Sequence, residues 1–496
     1  MSSRVFRLYD TQSRQVRPLE LVEPGHLKFY SCGPTVYNFA HIGNFRTFLT
    51  ADLVCRTAEA LGWRVSYVSN ITDVGHLTSD DQEDGEDRME KGLKSKEGEH
   101  FANVWDLAQF YADCFKDDWI RLNLKRPLVW PRATQHMREQ IQAAEDLIAK
   151  GHAYETPTGV YYRVSSFEGY GKLSGNTNRD ELMTGVRDIV VDDNKEHPAD
   201  FALWKKDDKH LMQWFSPWGW GFPGWHLECS VMAMAYLGET LDLHAGGEDL
   251  IFPHHECEIA QSEALTGKPF SNHWIHSRFL QVDGQKMSKS LGNFFTVRDL
   301  VDGKGAEPLA LRYALISQNY GVPHNFTLDL LRDATQKVDR YRQCWDKVKS
   351  AAGPATSDDA VFIDSLTSLY DETLDAMCDN LNMSVALGKS LEGTRVILRE
   401  ATLTSEMGRA GAEFLTKINA LLGIIEHDEV VADSSASSEL AVDEVWITTK
   451  ITERSEAKKS KNFELADQIR KAVDDAGIEL RDTPDGTTWR VKGPLL

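Results

Sequence analysis

The chain has 496 residues, 41% hydrophobic and 26% charged, with a formal net charge of −21. Such a composition belongs to a folded globular protein of several domains and excludes a disordered tail or a fibre. No apolar run approaches the roughly 20 residues that span a bilayer, and the opening MSSRVFRLYD lacks the apolar stretch of a secretory leader, so the expectation is a soluble cytoplasmic protein with no membrane partner.

In chain order, HLKFYSC (26–32) reads as a strand, GPTVYNFAHIGN (33–44) as a loop entering a helix, and FRTFLTADLVCRTAEALGW (45–63) as that helix. Phe45, Phe48, Leu49, Val54, Ala58 and Leu61 give it an apolar stripe at helical spacing, and RVSYVSNIT (64–72) follows Gly62 as the next strand. This is a βαβ unit, whose sites belong at the strand C-terminal ends. Residues 79–100 are charge-dense and read as exposed loop and helix face. TLDLHAGGEDL (240–250) reads as a strand running into a glycine turn, and DLIFPHHECEIAQSEALTG (249–267) as a helix with Pro253 in its first turn and Gly267 as its stop. HWIHSRFLQVDGQKMSKSLGN (273–293) reads as a strand and a mobile loop. From about 305 the pattern is helical, interrupted by AAGPATSDD (351–359); residues 426–444 are Ser- and acid-rich and read as a linker. A small module closes the chain, with one helix over 455–477 and a hairpin over 478–492.

Seven cysteines, Cys32, Cys55, Cys114, Cys229, Cys257, Cys344 and Cys378, show no paired spacing, which suits reduced thiols, some of them metal-bound, better than a disulfide framework. Residues 254–258 hold two His, two Glu and a Cys. On a helix, His254, Cys257 and Glu258 share a face and Glu256 opposes them, so spacing leaves three candidate ligands for a zinc ion, the others coming from elsewhere in the chain. The bland alternative is a solvated helix start with one core-facing His. HIGN (His41 to Asn44) stands where a helix begins, a natural phosphate site. KMSKS (Lys286 to Ser290) puts two ammonium groups and two hydroxyls on a glycine-flanked loop able to close on a developing pyrophosphate.

An HxGN string followed by KMSKS on a βαβ fold resembles the signature pair of class I aminoacyl-tRNA synthetases, with Asn44 where that motif has its second His; the substitution keeps a donor and removes a possible charge. CGPTVYNFAHIGNFRT, SNITDVGHL, PGWHLECS, DLHAGGEDLIFPHHECEIAQSEA and DGQKMSKSLGNFFTVRDL narrow the resemblance to the cysteinyl-tRNA synthetase family, and it runs from about residue 5 to TPDGTTWR. It implies an α/β fold: a Rossmann-like catalytic domain over 1–305 with an inserted connective region at about 120–220, a stem-contact and helical-bundle tRNA-binding region over 306–425, a linker over 426–444 and an α+β anticodon-binding module over 445–496.

The resemblance also implies one Zn²⁺ held by Cys32, Cys229, His254 and Glu258, which leaves Cys257 a bystander. Thr72, Trp225 and His244 are expected around bound L-cysteine, and Gly33, Thr35, His41, Asn44, Gly246, Asp249 and Lys289 around Mg²⁺-bound ATP. Taken by itself, Trp225 reads as core and Gly246 as a turn glycine. Lys286 and Lys289 would stabilise the leaving pyrophosphate, with His41 and Asn44 opposite. The acceptor would be tRNA(Cys), with Trp489 and Arg490 contacting its anticodon loop, and the enzyme a monomer. A charge of −21 disfavours non-specific RNA binding, but residues 451–496 carry nine Lys/Arg against nine Asp/Glu. A zinc ion makes chemical sense, because a hydrophobic pocket separates near-isosteres such as cysteine and serine by only about two orders of magnitude, whereas a metal selects sulfur over oxygen. Two rivals are a mycothiol-pathway cysteine ligase, which lacks the anticodon module, and an inactive RNA-binding paralogue, which intact KMSKS argues against.

Overall fold

The computed structural model describes residues 4–75, 87–95, 98–176, 194–288, 291–425, 444–459, 462–475, 478–483 and 486–491. Contacts divide the chain into two compact units, Met1–Ile425 and Glu426–Leu496.

The first unit opens with a hairpin, β1 (Arg7–Asp10) and β2 (Gln15–Pro18). The βαβ unit follows: β3 (His26–Ser31), α1 (Ile42–Ala60) and β4 (Arg64–Ser69), with β3 and β4 parallel and in register from His26/Arg64 to Ser31/Ser69. The helix begins three residues earlier than the apolar stripe suggests, because His41 caps it and HIGN supplies its first turn. Phe45, Phe48, Leu49, Val54 and Ala58 are all buried against the sheet side. After α2 (Arg88–Leu93) and α3 (Val104–Arg121) come α4 (Met137–Ala149) and a five-stranded antiparallel sheet made of β5 (Ala153–Glu155), β6 (Gly159–Tyr162), β7 (Phe201–Lys206), β8 (Trp214–Ser216) and β9 (Gly219–Pro223), in the order 5-6-7-9-8.

The chain then re-enters the parallel sheet through α5 (Leu227–Leu237), β10 (Leu243–Gly247), α6 (Glu256–Thr266) and β11 (Trp274–Ser277), giving the order β11-β10-β3-β4. A chain that leaves this sheet at β4 and returns at β10, on the far side of β3, opens a crevice at the strand C-terminal ends. Three short strands, β12 (Leu280–Val282), β13 (Gln285–Lys286) and β14 (His324–Phe326), form a separate sheet carrying the start of KMSKS. Helices α7 (Pro308–Ile316), α8 (Leu328–Lys349), α9 (Asp359–Cys378), α10 (Met383–Arg399) and α11 (Ser405–Leu422) complete the unit, and the break expected at 351–359 separates α8 from α9.

A buried ionic knot fastens α1 to this helical region. Asp52 binds Arg56 (2.7 Å) and Arg312, and accepts the Lys125 N–H (2.7 Å). The two guanidiniums donate in turn to carbonyls at the C-terminal ends of α3 and α11, among them Asn123, Leu422 and Ala420, where unpaired carbonyls and the helix dipole favour a cation.

The second unit comprises α12 (Glu444–Lys459), α13 (Phe463–Asp475) and the antiparallel hairpin β15 (Ile478–Thr483) and β16 (Gly486–Val491). The single helix expected over 455–477 is two helices, because Asn462 caps a new one by accepting the Leu465 N–H (3.2 Å). Most of the expected linker lies outside the described residues. No helix among the described residues is long and apolar enough to cross a membrane.

Candidate active site

Four side chains from separated stretches converge at the C-terminal end of the parallel sheet. Cys32 follows β3, Cys229 lies in the first turn of α5, His254 sits just before α6, and Glu258 lies on that helix. All four are buried, and their ligand atoms lie within 4.8 Å of one another. Cys32 Sγ is 3.8 Å from Cys229 Sγ, 3.6 Å from His254 Nε2 and 3.4 Å from Glu258 Oε1, while His254 Nε2 is 3.0 Å from Glu258 Oε1. A tetrahedral zinc site has edges of about 3.8 Å between two sulfurs, about 3.5 Å from sulfur to nitrogen or oxygen, and about 3.3 Å from nitrogen to oxygen. These four separations lie within about 0.3 Å of those edges.

Electrostatics agree with the geometry. Burial opposes ionisation of Glu258, but His244 and His254 outweigh it and hold its carboxyl well below the usual range. His254 is likewise opposed by burial, yet its bonds to Cys229 and Glu258 push its pKa up to about 10. A thiol pair and an ionised carboxylate buried around one point call for a positive charge there, and the imidazole supplies it when nothing else does.

Cys257, equal to His254 and Glu258 by helical spacing, is not in the cluster. Its Sγ lies 3.5 Å from the Tyr170 hydroxyl, packed among Val160, Tyr162 and Leu203 of the inserted sheet. Glu256 turns away as expected and accepts the N–H of Ser174 (2.9 Å).

Around the cluster stand histidines that spacing could not place. His244, expected beside the amino acid, gives Nε2 to Glu258 Oε2 at 2.8 Å and so fixes the carboxylate. His226 Nδ1 contacts His254 Nδ1 at 2.9 Å, and His255 Nε2 comes within 3.4 Å of Cys32, its Nδ1 bonded to His276 (2.7 Å). Cys32, His244, His255 and Glu258 form a second set whose ligand atoms lie within 4.8 Å of one another; histidines beside a metal site orient its ligands and set their tautomers. Trp225 lays its ring 4.4 Å from that of His254.

The Thr72 hydroxyl donates to Glu228 (2.6 Å) and accepts from Asn70 Nδ2 (3.1 Å), whose Oδ1 takes the Gly33 N–H (2.8 Å). Burial pushes the Glu228 carboxyl up to about 8. Asn70 and Glu228 were missed; both lie inside singled-out strings, SNITDVGHL and PGWHLECS, but nothing in their spacing marks them. Gly33 has a steric reason of its own, since a Cβ there would lie 1.7 Å from the Asn70 carbonyl oxygen. Gly246 is similar, with a Cβ meeting the His255 ring at 2.6 Å. Thr35 bridges Thr72 in parallel, and Asp249 is exposed in the turn after β10.

At the mouth of the crevice the two signature motifs meet. His41 and Asn44 form a reciprocal cap: the Asn44 N–H donates to His41 Nδ1 (3.2 Å) and the His41 N–H donates to Asn44 Oδ1 (3.0 Å). The backbone donors expected to cradle phosphate are therefore largely engaged, Ile42 N–H also donating to the Phe295 carbonyl (3.0 Å). The cap has a chemical consequence. With Nδ1 accepting, the neutral imidazole carries its proton on Nε2, and burial pulls the His41 pKa down to about 4. Among the described residues, Nε2–H, the Asn44 Nδ2 amide and the Gly43 N–H are donors left for a ligand. Met287 of KMSKS packs so closely on Gly43 that a Cβ there would come within 2.7 Å of its methyl carbon. Asn293 closes the loop, accepting the Ser288 N–H (2.8 Å) and donating to the Lys286 carbonyl (3.2 Å). Lys286 is exposed, its ammonium over the Phe279 ring; Lys289 lies outside the described residues.

Comparison with known proteins fits this arrangement. The family model for the class I (C) tRNA synthetase catalytic domain matches residues 18–336. Cysteine–tRNA ligase of Salinibacter ruber is 50% identical over 99% of both chains, and that of Chlorobaculum tepidum 40% identical over 98% of this chain and 99% of the relative. The chain belongs to the cysteine–tRNA ligase family. This synthetase shares its fold with Mycobacterium tuberculosis methionyl-tRNA synthetase, solved with methionyl-adenylate, at a TM-score of 0.57 and 14% identity over 80% of this chain and 92% of that one. On β16 of the synthetase, Trp489 pairs with Leu480 and Arg490 with Glu479 in the hairpin register.

Proposed function

We propose that the protein activates L-cysteine with Mg²⁺-bound ATP and transfers the cysteinyl group to the terminal ribose of tRNA(Cys). The observation that carries this reading is the convergence of Cys32, Cys229, His254 and Glu258 beside the HIGN and KMSKS motifs, in a chain whose full length resembles cysteine–tRNA ligases. A Zn²⁺ ion held by those four residues supplies a soft Lewis acid that binds a thiolate and discriminates against the hydroxyl of serine.

The chain's own groups do the rest. Trp225 and Thr72 wall the amino acid, and His244 and His226 hold Glu258 and His254 in orientation. The substrate carboxylate, already ionised, attacks the α-phosphorus as the bond to pyrophosphate breaks, so no strong general base is required. His41 Nε2–H and Asn44 Nδ2 donate to phosphate oxygens on one side, and Lys286 and Lys289 take the leaving charge on the other. Gly33, Thr35, Gly246 and Asp249 shape the nucleotide site. The 2′-hydroxyl then attacks the acyl carbon and AMP leaves. Residues 306–425 and the module from 445 contact the tRNA, the latter with Trp489 and Arg490 among its groups for unpaired bases.

The test combines metal analysis with cysteine-dependent ATP–pyrophosphate exchange and tRNA charging, for wild type, Cys229→Ser and Lys289→Ala. Cys229→Ser is expected to lose zinc and exchange together; Lys289→Ala is expected to keep zinc and cysteine binding and to lose exchange by orders of magnitude. Wild-type protein without cysteine-dependent exchange refutes the reading, and acyl transfer to an amino sugar in place of tRNA replaces it with the mycothiol-type ligase.

A further inference from the structure

Adenylate formation brings a carboxylate against an anionic phosphate, and that approach needs positive charge at the amino-acid end as well as at the leaving group. The lysines of KMSKS face the pyrophosphate side in the reading above, and His41 is neutral, its pKa near 4. Among the described residues, Arg88 is a cation that reaches Trp225, the ring expected beside the amino acid.

Three contacts anchor the helix that begins with Arg88. This is α2, whose cap, Asp87, accepts the Glu90 N–H (2.7 Å). Asp87 is itself bonded to His210 of the inserted region (3.0 Å). The helix presses on the CGPTVY loop so tightly that a Cβ at Gly92 would lie 2.8 Å from the Tyr37 carbonyl oxygen. From this anchorage the half-buried guanidinium reaches over the Trp225 ring, 5.5 Å from its centroid, and that ring lies 4.4 Å from the ring of His254. Arg88, Trp225 and His254 thus form a short chain of contacts, the two rings inclined at 49°, leading from the loop wall to the Cys32/Cys229 cluster. The carboxylate of cysteine lies about 3–5 Å from its own sulfur according to the rotamer, and in the extended rotamer a substrate whose thiolate enters the cluster beside Trp225 can carry its carboxylate towards the Arg88 end of this chain of contacts.

We propose that Arg88 is a substrate-binding residue that pairs with the α-carboxylate of cysteine and offsets its repulsion from the α-phosphate. A planar, permanently charged fork suits that task better than an ammonium group, and partial burial strengthens the pairing. The proposal rests on the cysteine-activation reading.

Cysteamine, which has the thiol and amine of cysteine but no carboxylate, separates this role from packing on Trp225. In the full-length zinc-loaded protein, titration calorimetry with L-cysteine and with cysteamine is compared for wild type, Arg88→Met and Arg88→Lys. Arg88→Met is expected to weaken L-cysteine by about tenfold to 100-fold, the loss of a charge-assisted hydrogen bond, while the Kd of cysteamine stays within about twofold of wild type; Arg88→Lys recovers part of the loss. Equal weakening of both ligands, loss of zinc, or an unchanged cysteine-to-cysteamine ratio accompanied by a raised KM for ATP each overturns the assignment. A wild type that shows no cysteine-dependent exchange would instead refute the underlying function, so the two failures are distinguishable.

Discussion

Asn44 carries a structural and a chemical duty that one substitution separates. Its Oδ1 accepts the His41 N–H at 3.0 Å and closes the cap of the 19-residue helix α1, whose first turn contains no acidic residue. Asn44→Asp keeps that acceptor and places a negative charge at a helix N-terminus, worth about 0.3–1 kcal/mol of added stability. The same change exchanges the Nδ2 donor for an anion facing the triphosphate. At a separation of about 4–6 Å and an effective dielectric constant of about 20, the repulsion from one phosphate charge is about 3–4 kcal/mol, or roughly 10²- to 10³-fold in the rate of adenylate formation. Asn44→Ala, by contrast, also loses the return bond from the His41 N–H, keeping only the backbone half of the cap, and is expected to cost about 1 kcal/mol of stability. Thermal melts beside ATP–pyrophosphate exchange read both quantities from one preparation. Exchange by Asn44→Asp within about fivefold of wild type would show that the amide serves the cap alone, and destabilisation equal to that of Asn44→Ala would refute the capping role of the side-chain oxygen.

The environment of Cys257 predicts that Cys257→Ser retains its metal, whereas Glu258→Gln loses it; elemental analysis of the two purified variants decides, and the opposite pattern removes Glu258 from the ligand set. Acid lability should begin near pH 6.5 and deepen towards pH 4. Burial depresses His273 and His324 to about 4, so between 6.5 and 4 the unfolded chain binds protons that the native state refuses, and stability falls with pH by up to roughly 3 kcal/mol for each group. Melting temperatures followed from pH 7.5 to 4.5 test this, and a flat profile below pH 6.5 contradicts it. Replacing either residue by Gln should flatten the slope.

Local pattern was a good guide wherever the physics is local. The stripe Phe45, Phe48, Leu49, Val54 and Ala58 packs one face of α1, and the alternation from helix to strand at Gly62 matches the observed βαβ unit. HIGN and KMSKS pointed to phosphate chemistry because each is short, contiguous and placed at an element boundary, whereas CGPTVY and GWHLECS had meaning only through the family resemblance. What they could not convey is which side of each element faces which neighbour. His41 and Asn44 read as two phosphate donors, but half of their hydrogen-bonding capacity is spent on each other, a matter of rotamers at a helix start. His244 read as a pocket residue and is found holding Glu258, because β10 lies beside β3 in the sheet order.

The cluster at 254–258 shows the division most plainly. Composition and spacing alone established a helix start rich in nitrogen, oxygen and sulfur ligands, and left His254, Cys257 and Glu258 equivalent. Spacing does not separate them, and the family resemblance set Cys257 aside without a physical reason; the tertiary structure supplies that reason, because α6 lies between two packing environments: β3 and α5 bring Cys32 and Cys229 to one side, while Tyr170 and Val160 of the inserted region fill the other. A residue three positions along a helix and one four positions along diverge by about 100°. That angle is enough to send Glu258 to the cysteines and Cys257 into the core. Periodicity specifies the angle between them, but which direction holds the thiols depends on chain segments more than 20 residues away.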